Sequence, residues 1–126
     1  MKKIAYDYLD IRADLSDTER MVQDSTRAFV KEEIQPLIAD HFKKGTFPEN
    51  IIPKLGAMGL LGSTLPKKYG GQEMSYTSYG LVCQELEFCD SSIRSFVSVQ
   101  GSLVRKSSPP SLMASSCLSR SSSADR

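Results

Sequence analysis

QELEFCDSSIRSFVSVQGSLV, residues 84–104, decides how this chain reads. Its first part continues a helical stripe of Tyr79, Val82, Leu86 and Cys89. Asp90-Ser91-Ser92 is a helix-capping signature, and Ile93 to Val104 is a further apolar helix. A lone arginine, Arg94, stands among apolar and small residues, with Glu87 before it and Ser98 after it. An unpaired buried charge is costly, so this cation needs a partner. Glu87 is one candidate; the carboxylate of a bound substrate is another. Arg94 and Ser98 are four apart and share a helix face. Glu87, seven before Arg94, extends that face if the helix is continuous. If Asp90 starts a new helix, Glu87 approaches from the end of the previous one.

Working outward toward the N-terminus, Ser16-Asp17-Thr18-Glu19 fits the capping box that opens a helix. Residues 1–15 before it form an extended lead-in. Val22, Thr26, Phe29 (or Val30) and Glu33 mark one helical stripe, continued by Ile34, Leu37 and Ile38. Pro36 has no amide to donate and restricts Gln35, which predicts one helix ending near Glu33 and another starting near Gln35. Gly45 closes that segment, and Phe47-Pro48 opens the next with Pro48 in the first turn. Ile51, Ile52, Leu55 and Met58 follow at helical spacing, and Gly59 is a left-handed stop. Pro66-Lys67-Lys68-Tyr69-Gly70-Gly71 lacks the Gly-Lys-Ser/Thr ending of a phosphate loop and reads as a turn. Ser75 caps another helix. No alternating strand occurs, so the expected body is all-α, with four to six helices.

Length and charge exclude several classes. The 126 residues suffice for one modest core. With 16 basic and 15 acidic residues, the chain has no general pull toward nucleic acid or membrane. No run approaches the roughly 20 apolar residues of a membrane span. The N-terminal stretch has no apolar core of signal-peptide length. Cys83, Cys89 and Cys117 have no metal-ligand spacing, and their odd number argues against a disulfide framework. No metal site and a cytoplasmic location are expected. His41 reads as a helix-end or surface residue; Tyr69, Tyr76 and Tyr79 read as packing residues, and Met21 and Met58 as core filler.

From Arg105 the character changes. Residues 105–126, RKSSPPSLMASSCLSRSSSADR, carry 4 of the 16 basic residues and 1 of the 15 acidic ones, with many serines and no periodicity. Such composition cannot bury enough surface to offset chain entropy. A disordered Ser-rich tail, regulatory or arising from a shifted reading frame, is the expectation.

The stretch from about Tyr6 to Val104 resembles the N-terminal part of the acyl-CoA dehydrogenase family, with residues 16–104 as its helical domain. The resemblance rests on several phrases in a fixed order: Phe47-Pro48; Leu55-Gly56-Ala57-Met58-Gly59-Leu60-Leu61-Gly62; Pro66-Lys67-Lys68-Tyr69-Gly70-Gly71; and Gln84-Glu85-Leu86-Glu87 followed by Ser98-Val99-Gln100. Arg94 within Ser91-Ser92-Ile93-Arg94-Ser95, followed by Ser98 to Val104, is similar to the glutaryl-CoA dehydrogenase branch. That resemblance implies FAD as cofactor, oxidative decarboxylation of glutaryl-CoA to crotonyl-CoA, electron transfer to an electron-transferring flavoprotein, and a homotetramer. It also implies that Arg94 and Ser98 line the distal end of the acyl pocket and that Glu87 joins their network. In the family the flavin-binding β domain and the C-terminal bundle with the catalytic glutamate follow this helical domain. Neither is in these residues, so no catalytic base is assigned. The chain alone is expected to be inactive and not to bind FAD. Two other readings stand beside this one: an acyl-CoA dehydrogenase for monocarboxylyl substrates, and a non-enzymatic helical interaction module.

Overall fold

The computed structural model describes residues 8–107, apart from the side chains of Tyr69 and residues 103–107. The expectations for residues 1–7 and for the tail from residue 108 lie outside the described residues. The described residues are all-α, without strands. Five helices carry the fold: α1 (Asp17–Phe29), α2 (Gln35–Lys44), α3 (Ile52–Ala57), α4 (Tyr76–Cys89) and α5 (Ser91–Ser107).

The helix starts obey the local signals. Ser16 Oγ accepts from the Glu19 amide at 3.3 Å while Glu19 Oε2 accepts from the Ser16 amide at 2.9 Å. This closes the capping box and satisfies two donors that no helical carbonyl can reach. Ser75 Oγ accepts from the Ser78 amide at 3.1 Å and opens α4. Gly45 and Gly59 take φ of 63° and 71°, the left-handed stops expected of them.

Two local expectations are corrected. The lead-in is not wholly extended: Ile11–Asp14 form a 3-10 turn. Arg20 fastens it, with Nε donating to the Arg12 carbonyl at 3.1 Å and Nη2 to that of Ala13 at 2.8 Å. α2 starts at Gln35 as expected, but the predicted break near Glu33 is instead a π turn, Val30–Ile34, joining α1 to α2. There the Gln35 amide reaches back five residues to the Val30 carbonyl. Pro36 supplies the reason. Its ring would collide with the carbonyl four residues back in a regular helix, and one widened turn makes room without breaking the rod.

α4 is the central helix. Its largest interface is with α1 and its next with α5. Val82 and Leu86 of α4, Ile93 and Val97 of α5, Ile34 of the π turn, and Ile51 and Leu55 around the start of α3 are fully buried together. Phe47 and Phe96 close one end with ring centroids 5.2 Å apart. Met21, 62 % exposed, and Met58, at 36 %, are surface residues and not the core filler their type suggested. Met21 falls on the outer side of α1, and Met58 caps the end of α3.

A polar lock joins α1 to α4 inside this apolar frame. Glu85 is 8 % exposed. Its carboxylate accepts from Arg27 Nε at 2.9 Å, Arg27 Nη2 at 2.6 Å and Gln23 Nε2 at 3.1 Å. Arg12 extends the network, donating to Gln23 Oε1 at 2.7 Å and Asp24 Oδ2 at 2.5 Å. The Glu85 hydrogen bond is the main reason the Arg27 guanidinium is held above its usual pKa. Removing one partner strands the other's hydrogen-bonding groups. Glu85→Ala is therefore expected to destabilise the chain by about 1–3 kcal/mol, with half-exposed Arg27 keeping the loss below that of a fully buried pair. Thermal unfolding followed by circular dichroism measures it; an unchanged midpoint contradicts the lock.

Candidate anion receptor at the α4–α5 corner

Asp90 makes the corner. It ends α4 in an extended conformation (φ −162°, ψ 127°). Its Oδ1 then accepts from the amides of Ser92 at 2.8 Å and Ile93 at 3.2 Å. Of the two arrangements the sequence left open, the chain adopts the broken one: Glu87 comes from the last turn of α4 and Arg94 from the first turn of α5. Asp90, an acid at the helix start, also suits the positive end of the α5 dipole.

Glu87 and Arg94 meet across this corner in an ion pair, Arg94 Nε donating to Glu87 Oε2. Ser91 Oγ donates to the other oxygen, Oε1, at 2.6 Å. Both pair members are open to solvent, with 36 % of the Arg94 side chain and 44 % of the Glu87 side chain exposed. The cation is thus at the rim of the apolar helix, flanked by buried Ile93 and Val97, and not inside it. Among the described residues its two terminal nitrogens have no acceptor. Glu87 holds the guanidinium through Nε and leaves the outer fork available, the geometry that favours bidentate capture of a carboxylate.

Ser98 lies one turn further along α5, half-buried. Its hydroxyl donates to the Ser95 carbonyl at 3.1 Å, a bond internal to the helix, and Arg94 and Ser98 do not hydrogen-bond each other. The structure therefore joins two of the three expected residues directly and sets the third on the same helix. Two neighbours escaped the sequence reading. Tyr79 and Cys83 precede Glu87 on α4 at intervals of four, and both interact electrostatically with Arg94. The 79-83-87 spacing was the available signal. Burial, and next the adjacent Cys83 thiol, push the Tyr79 phenol up to about 12, so it stays a neutral hydroxyl.

The pair also tunes its own charges. The Ser91 hydroxyl first, and then Arg94, hold the Glu87 carboxyl below its ordinary value of 4.5. The Glu87 hydrogen bond raises the Arg94 guanidinium. Both groups remain charged at neutral pH.

Comparison with known proteins places the chain. Residues 16–108 match the family model described as "Acyl-CoA dehydrogenase, N-terminal domain". The chain belongs to the acyl-CoA dehydrogenase family. A glutaryl-CoA dehydrogenase from Mycobacterium smegmatis is 47 % identical, with a TM-score of 0.68 over 72 % of this chain and 24 % of that one. A second M. smegmatis glutaryl-CoA dehydrogenase structure, in complex with FADH2, is 33 % identical with a TM-score of 0.78, covering 86 % and 29 %. The human mitochondrial short-chain specific acyl-CoA dehydrogenase is 30 % identical over 90 residues, 71 % of this chain and 22 % of that protein. The chain thus spans about a fifth of the length of its curated relatives. As in the family's N-terminal domain, the described residues form helices and no strands. Among them, no helix is long and apolar enough to cross a membrane, and no group of side chains could hold a metal ion.

A carboxyl with a lowered folded-state pKa stabilises the fold above its unfolded value and ceases to do so as pH falls through the folded one. The Glu87 contribution is accordingly expected to be complete above pH 4.5 and to fade on further acidification. Titration of the Glu87 side-chain carboxyl by NMR checks this: its midpoint lies below 4.5, and Arg94→Ala moves it upward. An unmoved midpoint in that variant shows that Arg94 does not act on Glu87.

Proposed function

We propose that this chain is the N-terminal helical part of an FAD-dependent, glutaryl-CoA dehydrogenase-like enzyme and supplies the wall of the acyl pocket that receives the substrate's distal carboxylate. The observation that carries the proposal is the Arg94 fork, aligned by Glu87 and, among the described residues, left without an acceptor at its outer nitrogens. A diacid thioester presents the complementary group at the end of its acyl chain. Two parallel hydrogen bonds from the fork would orient it, and the Ser98 hydroxyl, exchanging its bond to the Ser95 carbonyl, would add a third donor. Glu87 keeps the guanidinium in place when no substrate is bound. The identity of 47 % to a glutaryl-CoA dehydrogenase supports the same reading.

The remaining chemistry enters with an intact enzyme. The flavin, the proton-abstracting base, most of the CoA cleft, the electron-transferring flavoprotein and the homotetramer all belong to that proposal. The one glycine-rich turn in the described residues does not fit a flavin phosphate. A Cβ at Gly71 would sit 2.0 Å from the Leu65 carbonyl oxygen, so its own chain already fills the space that the glycine leaves. On this reading the 126-residue chain has no dehydrogenase activity of its own. Its compartment is part of the proposal too: cytoplasmic by the sequence reading, although the curated relatives are named as mitochondrial.

A second reading, specificity for monocarboxylyl substrates, is favoured by the similarity of about 30 % to short-chain enzymes. Kinetics separate the two. In an intact enzyme carrying this sequence as its N-terminal domain, Arg94→Ala is expected to lower kcat/KM for glutaryl-CoA about 100-fold, because a desolvated charge pair loses one member. Butyryl-CoA turnover changes by no more than a few-fold. Equal loss for both substrates, or no loss, defeats the carboxylate-receptor role.

A further inference from the structure

On the opposite side of α4 from Arg94, a cleft of about 580 Å³ opens between α1, the π turn, α2 and the lead-in. Its walls are largely apolar, built from Ile11, Leu15, Val30, Ile38, Leu81 and Phe88. This volume and a mostly apolar lining with a few polar groups are typical of small-molecule sites. A partner helix, roughly 10–12 Å across with its side chains, would have to lie over such a cleft and not in it.

Charge narrows the ligand further. The lining holds three cations, Arg12, Arg27 and Lys31, against one carboxylate, Glu85. Arg27 is taken by Glu85, and Arg12 by Asp24. Lys31 has no acidic partner among the described residues, so the cleft carries an excess positive charge at its edge. Lys31 and Val30 lie side by side in the π turn, which sets both on the cleft lining. The network of Arg12, Gln23, Arg27 and Glu85 ties the lead-in, α1 and α4 together along the cleft.

We infer that this cleft binds a single-chain amphipathic carboxylate, its hydrocarbon tail against Leu15, Val30, Leu81 and Phe88 and its anionic head at Lys31. Removing apolar surface from water drives binding, and the ammonium selects the headgroup. The site is separate from the Arg94 receptor and does not depend on the proposed dehydrogenase role.

The test titrates the full 126-residue chain with decanoate, below its micelle-forming concentration, and follows amide shifts by NMR. The expected result is saturable 1:1 binding with shifts confined to the cleft. Lys31→Gln, a change at an exposed residue, weakens decanoate about threefold to fivefold and leaves decanol unaffected. Unsaturable shifts spread over the surface, or equal decanoate affinity for Lys31→Gln and the parent chain, overturn the proposal. Cleft shifts that follow protein concentration in the absence of decanoate also overturn it, because a second copy of the chain is then the occupant.

Discussion

The carboxylate of Glu85 is the constraint from which the rest of the arrangement follows. It is the one acidic side chain that is buried among the described residues, and three donors from α1 meet it there. Apolar packing alone sets the distance between two helices more firmly than their rotation. A buried carboxylate with fixed partners sets rotation as well, since turning α4 would leave charge unpaired in a poorly solvated place. With α4 oriented, Val82 and Leu86 face the core, Leu81 and Phe88 face the cleft, and Tyr79, Cys83 and Glu87 face α5. One helix thereby presents three different chemistries on three faces.

The corner at Asp90 converts that orientation into a receptor. A continuous helix from Tyr79 to Ser107 would have put Glu87 and Arg94 two turns apart on one face, about 10 Å along the axis. Breaking the helix for a single residue folds α5 back against α4 and lets the two charges meet end to end. The result is an ion pair in partial contact with water, worth little as a source of stability. Its value lies in alignment: a guanidinium fixed by one nitrogen, with no acceptor on the other two among the described residues, is ready to bind a carboxylate with little reorganisation.

Much of this could be read from the residues in order. Helix starts were legible because capping is local: Ser16, Ser75 and Asp90 act on amides two or three positions away. The stops at Gly45 and Gly59 were legible for the same reason. The Glu87–Arg94 pairing could be named as an alternative, but choosing it required knowing which side of the corner each residue occupied. The π turn was missed because Pro36 signals only that a regular helix is impossible, not whether the chain breaks or widens. Glu85 drew no attention because its partners, Gln23 and Arg27, lie about sixty positions away. Met21 and Met58 were misplaced because residue type gives no direction when the stripe is ambiguous.

The receptor role turns on what the outer nitrogens of Arg94 face when substrate is present. A crystal structure of the intact enzyme with glutaryl-CoA bound tests this directly. The expected result is a distal carboxylate bridging those two nitrogens at about 2.7–2.9 Å, with Glu87 still on Nε. An acyl terminus elsewhere, with the guanidinium turned to bulk solvent, contradicts it.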